Sequence, residues 1–99
     1  MGKVLLLWEM DTTRLPVDPK ERITAWTTLV NMIKDDLKSG GLKEWGMFTA
    51  EMAGYAIREG TDEEIAIATG RYTPYVEFKA YSILSVSQTE EVIKALSQG

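Results

Sequence analysis

The chain has no cysteine and no histidine among its 99 residues. The first absence excludes disulfides, thiolate metal centres and cysteine nucleophiles. The second removes the commonest general base and the commonest metal ligand, so any acid–base chemistry would fall to carboxylates or tyrosines. Long apolar runs are missing as well. Val4 to Trp8 is followed at once by Glu9, too short for the central region of a signal peptide or for a membrane span, so a cytoplasmic protein with no membrane partner is expected. Positive charge is scarce. Eleven basic residues against fifteen acidic ones give a net charge of −4, which argues against a nucleic-acid partner. Phosphate loops and nucleophile elbows are lacking too, and no cofactor is expected. The acidic run Asp62-Glu63-Glu64 sits where a helix begins, a place that favours negative charge without any metal.

The length suits a single domain spanning 1–99. Lys3 to Met10 is an almost unbroken apolar strand of the sort found at the centre of a sheet. After the loop 11–17, Asp18-Pro19-Lys20-Glu21 opens a helix with a cap, a proline at the first position and an acid three residues after the cap. Ile23, Trp26, Leu29, Val30, Ile33 and Leu37 form its apolar stripe, and Ser39-Gly40-Gly41 ends it. Leu42 to Thr61 reads as a hairpin. In its first strand Trp45 and Met47 oppose Glu44, Gly46 and Phe48. In its second, Tyr55, Ile57 and Glu59 oppose Gly54, Ala56 and Arg58, and the small residues of that second set leave room for a helix. Thr61 to Glu64 is a further capping box, starting a helix with Ile65, Ala68, Thr69 and Tyr72 on one stripe and stopped by Thr73-Pro74. A strand at 75–83 follows. Ser87 to Glu90 then reads as a third capping box, opening a short helix with Val92, Ile93 and Leu96 facing inward.

Strand, helix, strand, strand, helix, strand packs most simply as an α+β, ferredoxin-like βαββαβ fold: a four-stranded antiparallel sheet, two helices on one face and a short trailing helix. Two helices cover one face only. The other is left with either Val4, Leu6, Trp8, Met10, Trp45, Met47 and Phe78 or Leu5, Leu7, Phe48 and Ile83. Four large apolar side chains left in water forfeit roughly 6 to 12 kcal/mol, comparable with the roughly 5 to 15 kcal/mol by which a domain is stable. A second copy of the chain is the expected cover, in a two-fold homodimer. The alternative is cover by the trailing helix or the 11–17 loop. Met47→Asp would test the dimer if Met47 belongs to the open face.

Trp45-Gly46, Gly54-Tyr55 with Ile57 and Glu59, an acidic helix start, Tyr72-x-Pro74-Tyr75-Val76 with Phe78, and a final short helix opening with Thr89-Glu90-Glu91 together resemble the dimeric α/β-barrel superfamily. Within it the chain is similar to small proteins related in architecture to muconolactone isomerases and cofactor-free antibiotic-biosynthesis monooxygenases. The resemblance implies face-to-face sheets and, where a ligand binds, a cleft between sheet and helices.

Candidate ligand-binding residues are Trp8, Trp45, Tyr55, Tyr72 and Arg58, because pockets combine apolar walls with few polar groups; Trp26, Tyr75 and Tyr81 belong to the same aromatic set. Such residues more often fill cores and interfaces. Arg58 and Glu59 could meet Glu9 and Asp11 near one sheet end, most often as rim ion pairs. The expected function is that of a homodimer binding a small hydrophobic or aromatic molecule, or serving a structural role. The alternatives are a cofactor-free isomerase or monooxygenase using tyrosine or carboxylate groups, and a subunit that docks a different protein.

Overall fold

The computed structural model describes residues 2–98. Strands β1 (Gly2–Met10), β2 (Leu42–Met47), β3 (Ala53–Gly60) and β4 (Val76–Ile83) alternate with helices α1 (Pro19–Ser39) and α2 (Asp62–Gly70), and α3 (Val86–Gln98) follows. The sheet is antiparallel in the order β2-β3-β1-β4. This is the ferredoxin-like α+β architecture that the element order predicts, with the apolar β1 at its centre. Among the described residues no helix is long and apolar enough to cross a membrane.

Local chemistry sets the boundaries. Asp18 caps α1 by accepting from the Glu21 amide, Pro19 takes the first turn, and Gly40 ends the helix at φ 90°, a left-handed angle that a side chain would strain. Thr61 and Glu64 form the reciprocal capping box of α2. Four details differ from the sequence reading. The 11–17 loop contains one 3-10 turn, Thr12–Arg14, capped by Asp11. Helix α2 stops at Gly70 and leaves Tyr72 in the turn after it. The last capping box is formed by Ser85 and Gln88, two residues earlier than expected, each side chain bonding the other's amide. Finally, Val92, Ile93 and Leu96 are not inward: they are 44, 60 and 75 % exposed.

The two sheet faces divide by residue parity. Val4, Leu6, Trp8 and Met10 are buried beneath α1 and α2, joined by Ala56, Leu42, Val76 and Ile65. Leu5, Leu7, Tyr55, Ile57, Tyr81 and Ile83 occupy the opposite face, in register with one another across β3, β1 and β4. Met47 is opposite Gly54, which is itself opposite Trp8. It therefore lies on the helix side, and Met47→Asp does not probe the open face.

Candidate functional site

Between α1 and the sheet lies an apolar chamber of about 50 Å³, partly open to solvent. Helix α1 packs Trp26, Leu29, Met32 and Ile33 onto the buried residues of the sheet, yet none of its 21 residues is fully buried. Trp26, Leu29, Val30 and Ile33 form the roof, while Leu6, Trp8, Met10, Ala56, Val76 and Phe78 form the floor.

Trp8 and Trp45 make one wall, stacked at 5.3 Å between ring centroids and 9° from parallel. The Trp8 indole N–H donates to the carbonyls of Gly46 and Tyr55, each at 3.2 Å. Glycine at position 54 permits this arrangement, since a Cβ there would lie 2.0 Å from the Gly46 oxygen and 2.6 Å from the Trp8 ring. The small residues of β3 thus accommodate a tryptophan from the neighbouring strand as much as a helix.

The polar end is built from three side chains on three elements. Arg58, only 7 % exposed, donates from Nη2 to Asp36 Oδ2 at 2.5 Å. The Tyr72 hydroxyl donates to the same oxygen at 2.9 Å. Burial, and then the Asp36 carboxylate, push the Tyr72 hydroxyl well above the usual tyrosine range, so it remains a proton donor and not a base. Tyr72 also meets Phe78 edge-on at 6.2 Å. The buried charge is therefore paired and hydrogen-bonded, as a low-dielectric interior requires.

Protein-family models and curated proteins offer no match to this chain.

Four of the five candidate residues, Trp8, Trp45, Arg58 and Tyr72, line this one chamber, and Trp26 joins them. Tyr55 is on the other face of the sheet, paired with Leu7 and Gly46, where the Glu44 carboxylate raises its hydroxyl above the ordinary value. Tyr75 and Tyr81 are 45 and 51 % exposed. The supposed meeting of Arg58 with Glu9 and Asp11 does not occur. In an antiparallel pair Arg58 lies opposite Val4, at the start of β1, while Glu9 is opposite Ala53 at the far end. The partner of Arg58 is Asp36, which the sequence reading passed over. Its signal was positional: Asp36 falls three residues after Ile33 and seven after Leu29, on the inward stripe of α1. An acid there, facing an arginine on an otherwise small and apolar strand face, identifies a buried pair.

Proposed function

We propose that the chain acts as a homodimer that binds a small hydrophobic or aromatic molecule in the chamber under α1. The observation that carries this reading is the chamber's make-up: all three tryptophans and a largely apolar lining around one internally neutralised polar cluster. Such a site suits a ligand recognised by shape and stacking, with a single polar group oriented by Arg58 or Tyr72. No residue of α1 is fully buried, so the roof is the side of the chamber that would move to admit a molecule larger than the resting volume. Binding is favoured over catalysis because the tyrosine of the site is shifted away from neutrality, whereas a working acid or base needs a pKa near the operating pH. The homodimer rests on the open face, where Leu7 and Ile83 are each 37 % exposed and Tyr81 51 %.

Titration with 2-naphthol, followed by ligand-observed saturation-transfer NMR, tests the chamber. Saturable binding is expected, reduced at least about tenfold by Val30→Phe, which fills the roof from a half-buried position. No saturable binding, or equal binding by Val30→Phe, would exclude the chamber as the site.

A further inference from the structure

Among the described residues helix α3 packs against no other element to any substantial extent. Its residues are exposed throughout. The molecule measures 61 × 26 × 21 Å. A strand of eight or nine residues spans roughly 30 Å and a 13-residue helix about 20 Å, so α3 runs out past the sheet at the Ile83 end for nearly its whole length. Yet its sequence is not that of a solvated arm. Val92, Ile93 and Leu96 fall on one side, Val86 lies two turns before Ile93 on the same side, and Glu90, Glu91 and Lys94 are interspersed. A helix of this length is marginal alone in water, even with the cap supplied by Ser85 and Gln88.

The accessible surface points to what covers it. The chain exposes 7179 Å², whereas a folded monomer of its mass exposes about 5,700 Å². The surplus is roughly 1,500 Å² per chain, or roughly 3,000 Å² for a pair, within the range of permanent homodimer interfaces. The open sheet face and the stripe of α3 are two exposed apolar surfaces that contribute to it, and they meet at the end of β4 through Ile83 and Leu84. A second copy can cover both at once, each helix crossing to the other protomer under a two-fold axis.

We infer that α3 is an exchanged arm: in the dimer each copy seats Val92, Ile93 and Leu96 on its partner. This inference rests on the homodimer proposed above and adds a role for the arm that can fail by itself. The test uses the full chain with Lys94→Cys, which introduces its sole thiol on a polar position of α3, carrying a nitroxide. Spin-labelled, unenriched chain is mixed with ¹⁵N-labelled wild-type chain. Sedimentation gives the mass, and paramagnetic broadening in the ¹⁵N copy reports contacts between copies. A dimer with broadening of amides outside α3 is the expected result, together with at least a hundredfold weaker dimerisation in the Ile93→Asp, Leu96→Asp double variant. A dimer without such broadening, whose mass is indifferent to the double variant, would overturn the exchange and leave the dimer standing. A monomer at 100 µM would overturn both. If that monomer protects the 86–98 amides from hydrogen exchange, the helix folds back on its own sheet instead.

Discussion

The two faces of the sheet have similar apolar content and opposite fates. On the helix side, Leu6 is 1 % exposed and Trp8 5 %; one residue along the same strand, Leu7 is 37 % exposed. Strand alternation alone separates them. Among the described residues only the helix side is closed by the chain's own elements, and even there the closure is uneven: α2 buries Ile65 and Ala68, whereas α1 packs Trp26, Leu29, Met32 and Ile33 on the core without fully burying any of its residues, and the chamber lies beneath it. The fold is thus under-covered in two places, by a small margin under α1 and by a large one on the open face.

That contrast can be broken by paired truncations. Leu6→Ala should destabilise the chain by about 2–5 kcal/mol, the range for a fully buried leucine, at every protein concentration. Leu7→Ala should cost less than about 1 kcal/mol when the protein is dilute and, under the proposed homodimer, more when it is concentrated. Urea unfolding at 1 and 100 µM checks both, and a concentration-independent Leu7→Ala would mean that the open face is not an interface. Next in size is the polar cluster. Asp36→Ala leaves a buried guanidinium without its carboxylate and removes the acceptor of the Tyr72 hydroxyl, so a loss of about 3 kcal/mol is expected. Restoring a neutral core with Asp36→Leu and Arg58→Met together should recover most of it. A double variant as unstable as Asp36→Ala would mean that the pair supports the fold by more than mutual neutralisation.

Much of this architecture was legible from local chemistry. The caps at Asp18 and Thr61, the Gly40 stop and the parity of β1 each depend on residues close in sequence, and each lies where those residues place it. The site was half legible. Tryptophans and an inward arginine could be read as lining residues, but Asp36 and Arg58 are 22 positions apart, and their meeting depends on how α1 lies over β2 and β3. Aromatic character alone groups Tyr55 with them, whereas strand parity places it with Leu7. The trailing helix shows the limit of reading inwardness from a stripe. Periodicity identifies the apolar side of α3, but what it packs against is set by tertiary context, which among the described residues of one chain supplies no extensive contact.

Tyr72 offers the effect most specific to the site. Its hydroxyl is hydrogen-bonded to Asp36 at 2.9 Å and is 6 % exposed, and its pKa in the fold is raised above the ordinary value of about 10. In the unfolded chain the phenol ionises as pH passes about 10, while in the fold it keeps its proton. The unfolded state therefore binds fewer protons in this window, and stability declines as pH rises, by up to about 1.4 kcal/mol per unit from this group. Below pH 9 its contribution is fully present. Tyr72→Phe removes one hydrogen bond, expected to cost about 1 kcal/mol at pH 7, but it also removes the group whose ionisation is resisted. The gap between wild type and Tyr72→Phe, measured by urea unfolding, should therefore narrow from pH 9 to pH 11 and can reverse sign. Contributions from groups common to both proteins cancel in the difference. A constant gap would mean that Tyr72 ionises as freely in the fold as outside it, and that the polar end of the chamber is wetter than its packing indicates.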